Sequence, residues 1–321
     1  MTFSRTEVTQ IGRATGFRVE MVEKVLWLLR LLEQFNKHPF LKNKWALKGG
    51  TAFNLFLWSL PRLSVDIDLN YIGAVDKDTM LEQRPKLEKA VQAVIQREGL
   101  RLRRVPSDHA GGKWRLSYES CFGQSGNLEL DVNFMYRQLL WDVEVRDSHL
   151  LGSYSCKSIP VVDTHELAAG KLSALLSRKQ ARDLFDSHRI LRLEELNTER
   201  LRVAFVAYGG MNRKDWRTVS IDDVQFENAE LKRSLLPTLN TLSIGNLSSS
   251  YGKHLVRECK ESLSRVLPLT DAEREFLDKL LDKGIIEPSL LTDDHELQER
   301  IHNQPLLQWK AINVRRHMGF E

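Results

Sequence analysis

The sequence predicts an α+β chain, with a mixed sheet and packed helices over residues 1–197 and a mainly helical C-terminal domain over residues 198–321. Two observations predict it. Residues 63–69, 114–120 and 128–134 alternate apolar and polar side chains, the period of half-buried strands. Residues 18–35, 77–98 and 166–176 instead repeat apolar side chains every three or four positions, as amphipathic helices do, and beyond Asn197 only that second pattern recurs. A chain of 321 residues can bury two cores.

Composition narrows the class. Hydrophobic residues make up 42% and charged residues 28%, which excludes a disordered chain. The net charge of +4 is a mild basic bias, compatible with a phosphate-rich partner without arguing for one. Cys121, Cys156 and Cys259 are odd in number and far apart, so neither a disulfide framework nor a zinc site is indicated. With no apolar export region near the start and no membrane-spanning run, a cytoplasmic protein with no membrane partner is expected.

Taken in order, residues 18–35 place Met21, Val22, Val25, Leu28, Leu29 and Leu32 on one helical face, fit to pack under a sheet. Asn36 to Pro39 break that helix. Residues 45–47 form a short apolar strand, Gly49-Gly50-Thr51 a tight turn, and residues 52–60 a helix that Pro61 ends. The alternating run at 63–69 is the next strand. Residues 77–98 form a helix burying Met80, Leu87, Val91, Val94 and Ile95. Residues 114–120 and 128–134 pair antiparallel through a turn at Gly123 and Gly126-Asn127. Residues 154–162 give a short strand, and Asp163 or Thr164 caps the helix that follows. Gly209-Gly210 ends an apolar run and is expected to be a turn, and residues 240–250 a loop. Leu255, Leu263, Val266, Phe276, Leu277, Leu280, Leu281 and Ile285 suit paired C-terminal helices.

The chemistry concentrates in residues 45–71. Glycines at the mouth of a helix let phosphate oxygens approach backbone N–H groups, and the positive end of the helix favours an anion there; Thr51 adds a hydroxyl. Asp66 and Asp68, two apart on a strand, leave the same face. Two crowded carboxylates repel unless a cation lies between them, and hard oxygen donors beside a phosphate cradle suit Mg²⁺ and a nucleoside triphosphate.

The run Lys48-Gly49-Gly50-Thr51 followed by Ser64-Val65-Asp66-Ile67-Asp68-Leu69 resembles the signature of the nucleotidyltransferase superfamily, and most closely the AbiEii/AbiGii toxin family, which includes the MenT-like toxins. Fourteen residues separate Thr51 from Asp66, near the long end of the usual spacing. The resemblance implies a polymerase-beta-like nucleotidyltransferase fold, with Lys48, Gly49, Gly50 and Thr51 binding the triphosphate. It implies Asp66 and Asp68 as metal ligands for Mg²⁺, with Mn²⁺ as a substitute. It also implies a third carboxylate on a neighbouring strand, and Asp131, flanked by Leu130 and Val132, fits; it would complete the metal site and take the proton from an attacking hydroxyl.

Residues 165–178 resemble the family segment whose lysine contacts the triphosphate, which assigns Lys171, with Arg178 seven residues on and on a similar face. Residues 182–186 resemble the family's R-D-[LI]-[YF]-D and assign Asp183. On one straight helix Lys171 and Asp183 would lie about 18 Å and about 120° apart, so a shared site requires a break near residues 177–180. An ordinary pair of Lys179 with Asp183, four apart on one helix, is the alternative. The ending, residues 305–313, resembles the P-x-L-x-W-K-x-x-N close of many such toxins.

What the resemblance implies is the toxin of a toxin–antitoxin or phage-defence system, held in check by a cognate antitoxin. It would transfer a nucleotide from an NTP to the 3′ end of tRNA, release pyrophosphate and halt translation. Arg101, Arg103, Arg104, Arg178, Lys179, Arg182, Arg315 and Arg316 are scattered basic residues compatible with RNA. A protein or small-molecule hydroxyl as acceptor, or nucleotide binding without turnover that acts through a partner protein, remain as alternatives.

Overall fold

The computed structural model describes residues 2–106, 110–241 and 250–319. The chain divides into two compact units, Met1–Arg137 with Val143–Val162 and Pro237–Asn246, and Gln138–Asp142 with Asp163–Leu236 and Leu247–Glu321.

In the first unit, α1 (Arg5–Thr15) and α2 (Val19–Lys37) precede β1 (Trp45–Lys48). Gly49–Thr51 opens a short helix, α3, that continues as a π-helix over Ala52–Leu57, an irregularity often found at functional sites. Then follow β2 (Asp66–Tyr71), α4 (Lys77–Arg97), β3 (Arg101–Arg104), β4 (Gly111–Glu119), β5 (Ser125–Asn133), β6 (Glu144–Arg146) and β7 (Ile159–Val161). They form one mixed sheet of seven strands in the order β3-β4-β5-β2-β1-β7-β6. The pairs β2–β5 and β1–β7 are parallel and the others antiparallel.

Alternation along the strands gives the sheet two different faces. Phe35 of α2 with Leu87 and Val91 of α4 share an apolar layer with Trp45, Leu69, Tyr71 and Val132. A strand that turns Leu69 and Tyr71 into this layer must turn Asp66, Asp68 and Asn70 to the other face. Burial of side chains such as Leu28, Leu32 and Ile67, all at 0% exposure, is what holds the polar face in register, because a slip of one residue would exchange the faces.

The second unit contains α5 (Thr164–Ser177), α6 (Ala181–Ile190), α7 (Thr198–Gly210), α8 (Tyr251–Ser262), α9 (Asp271–Lys283), α10 (His295–His302) and α11 (Pro305–Met318). As expected, Asp163 caps α5, accepting hydrogen bonds from the N–H groups of His165 and Glu166. The chain divides at Asp163 rather than near Asn197. The physical reason is that α5 packs on α6 and α7, the N–H of Asn197 reaches His165 Nε2 at 3.1 Å, and the Tyr208 hydroxyl donates to Glu166 Oε2 at 3.0 Å. Bonds of this kind across residue 197 leave no seam there.

Other expectations need correction. Gly209-Gly210 is not a turn but the last turn of α7, where small residues let other side chains approach: a Cβ on Gly209 would lie 2.0 Å from the Trp216 ring. Gly126 and Asn127 belong to β5 rather than to the hairpin turn, and the strand expected over 154–162 is confined to Ile159–Val161. Ile285 is exposed rather than packed. Most of the loop expected over 240–250 lies outside the described residues. The C-terminal signature now has mechanics. Gln304 caps α11, Pro305 takes its first turn, Leu307 and Ala311 are buried, and Lys310 Nζ donates to the Asn212 carbonyl.

Glu166, at 1% exposure, supplies a pH test of this unit. Its Oε1 accepts from the N–H groups of Leu140 and Trp141, yet burial outweighs these bonds and pushes the carboxyl up from its ordinary 4.5 to about 7. The native state therefore holds a proton that the unfolded chain gives up. The stability this adds is fully present below about pH 4.5 and is lost as pH rises through about 7, a change on the order of 3 kcal/mol at most. Glu166→Gln keeps the acceptor and cannot ionise. Urea unfolding from pH 5 to 8 is expected to show the wild type losing stability relative to this variant; parallel curves would contradict the assignment.

Candidate active site

The first cluster is built around a glycine. Lys48 ends β1 in extended conformation, and Gly49 turns the chain with φ +74°, the left-handed region. A Cβ on Gly49 would lie 2.4 Å from Asp68 Oδ2, so the absent side chain also makes room for that carboxylate. Gly49→Ala is expected to cost more than the roughly 1–2 kcal/mol of a left-handed L-residue, because it also displaces Asp68. Gly123→Ala is the control, since Gly123 has φ +82° and nothing within 4 Å of a built Cβ. Equal losses of unfolding free energy in the two variants would contradict the Asp68 contact.

Register places the predicted residues in rows across the polar face. Lys48 of β1 lies opposite Asp68 of β2, Asp68 opposite Asp131 of β5, and Asp131 opposite Lys113 of β4. The next row runs Asp66, Glu129, Arg115. Four carboxylates, Asp66, Asp68, Glu129 and Asp131, thus share one face of adjacent strands, with Lys48 and Lys113 at the two ends of the Asp68–Asp131 row. Burial pulls the Lys48 ammonium below the usual lysine range, while the charges of Asp68 and Asp131 oppose that shift, and its Nζ lies 5.0 Å from the centre of the Tyr136 ring. Lys113 is held above the usual range, chiefly by its 2.9 Å bond to Glu129 Oε2 and also by the charges of Asp66 and Asp68.

Thr51 departs from expectation. Its side chain is buried at 0% exposure, and its Oγ1 donates to the Asp66 carbonyl at 2.5 Å. The hydroxyl ties the start of α3 to β2 and so fixes the glycine turn against the carboxylates. Gly50 is tied likewise, its carbonyl accepting from Asn54 Nδ2 at 2.8 Å.

The donor set of Asp66, Asp68 and Asp131 fits a hard divalent cation in its chemistry. On the same face, Asn70 Oδ1 is a buried oxygen with no hydrogen-bond partner. Among the described residues no group of three or more His, Cys, Asp and Glu side chains is spaced as a finished metal cage.

The second cluster lies wholly in the second unit. Helix α5 ends at Ser177, Arg178 is extended, and α6 begins at Ala181, so the chain breaks where Lys171 and Asp183 require it. Lys171 Nζ lies 3.1 Å from Asp183 Oδ1 and 3.1 Å from Asp186 Oδ2. Arg178 Nε donates to Asp183 Oδ2 at 2.6 Å. Lys179 falls in the break, and Asp183 pairs with Lys171 and Arg178 rather than with Lys179. Asp183 and Asp186 are 2% and 0% exposed, carboxylates that only cations can hold charged at such depth. Asp183 is depressed below the usual carboxylate range because Lys171 and Arg178 overcome its burial.

Sequence reasoning missed Lys113 and Asp186. The period-two position of Lys113 on a strand facing Asp131 was a usable signal, but it needed the strand register. Asp186 stood in the quoted R-D-L-F-D run, three residues from Asp183 and therefore on its helical face.

Over residues 30–283 the sequence matches the family described as nucleotidyl transferase AbiEii toxin, type IV toxin–antitoxin system. Seven solved chains match the fold. One is MenT4, a nucleotidyltransferase toxin from Mycobacterium tuberculosis H37Rv, with 15% identity, a TM-score of 0.60, and coverage of 94% of this chain and 99% of that one. No curated protein sequence matches.

Proposed function

The chain belongs to the AbiEii nucleotidyltransferase toxin family, and from that premise we propose that it transfers a nucleotide from an NTP to the 3′-hydroxyl of RNA, with tRNA the first candidate. The observation that carries the reading is the row of Lys48, Asp68 and Asp131 across three adjacent strands, with the left-handed Gly49 turn against the Asp68 carboxylate.

Triphosphate oxygens would approach the backbone N–H groups of Gly49 and Gly50 at the positive end of the helix. Lys48 would add a charge at the same edge, strengthened by its partial burial. Asp66, Asp68 and Asp131 are the residues that would hold Mg²⁺ or Mn²⁺, which neutralises phosphate charge when bound. The acceptor oxygen would attack the α-phosphorus in line; the new O–P bond forms as the bond to the β-phosphate oxygen breaks, pyrophosphate leaves, and Asp131 takes the hydroxyl proton. The family resemblance gives Lys171 a phosphate contact as its role. An ammonium has three donors, and Asp183 and Asp186 orient it with one to spare. Arg178 is assigned to nucleotide binding through its anchored guanidinium.

As a family toxin the chain would be neutralised by a cognate antitoxin and would act by halting translation in the cytoplasm. Among the described residues no helix is long and apolar enough to cross a membrane. The test is incubation with total tRNA, Mg²⁺ and each α-labelled NTP in turn, with products resolved by size. Label on tRNA is the expected result. Label on protein or on a small molecule would reassign the acceptor, and NTP binding with no labelled product would replace catalysis by a binding role.

A further inference from the structure

The polar face of the sheet extends past the carboxylates towards the β3 edge. In β4, residues 113, 115, 117 and 119 lie on that face, and Lys113, Arg115 and Glu119 are exposed. Arg101 of β3 lies opposite Ser117, and Arg103 Nε donates to Ser117 Oγ at 2.9 Å, so both arginines join the same face. Strands are about 4.8 Å apart, which puts β3 on the order of 15 Å from β2. Arg101, Arg103, Ser117, Glu119, Gln124 and Ser125 line a concavity of about 410 Å³ in this region.

On β3 and β4 the four cations of this face, Arg101, Arg103, Lys113 and Arg115, stand beside one carboxylate, Glu119. Lys113 and Arg115 share one carboxylate, Glu129, at 2.9 and 3.5 Å. Among the described residues Arg103 bonds to the neutral hydroxyl of Ser117 through Nε, which leaves its terminal N–H groups available. Exposed pairs of this kind contribute little to stability, so the fold alone does not account for four cations at this edge. A triphosphate at the Gly49 turn lies too far away to use Arg101 and Arg103, whereas a polymer whose end is at the Asp68–Asp131 row is long enough to reach them.

We propose that this face binds the phosphodiester backbone of the RNA acceptor a few nucleotides back from its reacting end, with Arg101, Arg103, Lys113 and Arg115 as the phosphate contacts. The proposal rests on the RNA-acceptor reading. The ladder of cations gives affinity and direction without reading sequence, as backbone contacts do. Arginine suits the role because its planar fork matches phosphate oxygens.

The test measures binding of fluorescent total tRNA to the full chain, without NTP, from 50 to 300 mM salt. For Arg101→Ala/Arg103→Ala, affinity at 100 mM salt is expected to fall about tenfold and the slope of log K against log salt to become shallower by about 1.4 to 1.8, the share of two lost phosphate contacts. Arg101→Lys/Arg103→Lys keeps both charges and is expected to restore the slope; circular dichroism checks that each variant is folded. Unchanged affinity and slope in the alanine pair and in Arg101→Glu/Arg103→Glu would overturn the proposal, as would no tRNA binding by the wild type. Loss of binding to a poly-aspartate peptide with tRNA binding intact would also overturn it, in favour of an acidic protein partner. Because no NTP is present, tRNA that binds through these arginines yet takes no label in the transfer assay would defeat the acceptor reading alone.

Discussion

Asp68→Asn is expected to lower nucleotide transfer by about a thousandfold while leaving the chain folded. The amide keeps the carboxylate's volume against Gly49 and removes only its charge. That charge faces Lys48 on one side and Asp131 on the other, in the centre of the row. Losing a single preorganised donor in a phosphate or oxyanion site costs about 10² to 10³ in rate, and a carboxylate assigned to metal as well belongs at the upper end. Because Asp68 helps to hold the half-buried Lys48 charged, the variant also weakens the ammonium assigned to the triphosphate. Transfer rates are compared at saturating NTP and RNA, with near-UV circular dichroism to check the fold. A rate within about threefold of the wild type would remove Asp68 from the chemistry.

Lys171→Met is expected to act on stability and on transfer, and the two can be separated. The ammonium lies between two carboxylates that are almost fully buried, and Arg178 is a further cation on Asp183. Removing it from such a cluster is expected to cost about 3 to 5 kcal/mol in urea unfolding, because buried charge is left uncompensated. Lys171→Met/Asp186→Asn removes one charge of each sign and should recover most of that loss. If Lys171 contacts the nucleotide, the double variant stays inactive although it is stable. If the lysine only holds α5 to α6, transfer returns with stability.

The carboxylate site was legible in the sequence because its parts are local. A glycine turn, a short helix and a strand with alternating carboxylates occupy residues 49–69, and the alternation alone assigns Asp66 and Asp68 to one face. The break before Asp183 was legible for a different reason: straight-helix geometry cannot bring that residue to Lys171, and the break is found at residues 178–180. What depends on the exact register between strands was not legible. Nothing near Lys113 in sequence says that it lies opposite Asp131, and β3 and β6 are too short to show alternation. Thr51 looked like a phosphate donor because its actual acceptor, the Asp66 carbonyl, is supplied by a tertiary contact. Asn197 looked like a boundary because only helical patterning recurs beyond it, whereas the hydrogen bonds to His165 and Glu166 run across it.

The most direct test of the central claim follows two labels through one reaction. Wild-type protein is incubated with tRNA and an NTP labelled on either the α- or the γ-phosphate, and Asp68→Asn runs in parallel. Nucleotide transfer predicts that α-label moves onto RNA while γ-label appears in pyrophosphate in equal amount, and that both signals vanish in the variant. γ-Label on the RNA, or α-label transfer that survives in Asp68→Asn, would contradict the assignment of nucleotidyl transfer to this sheet face.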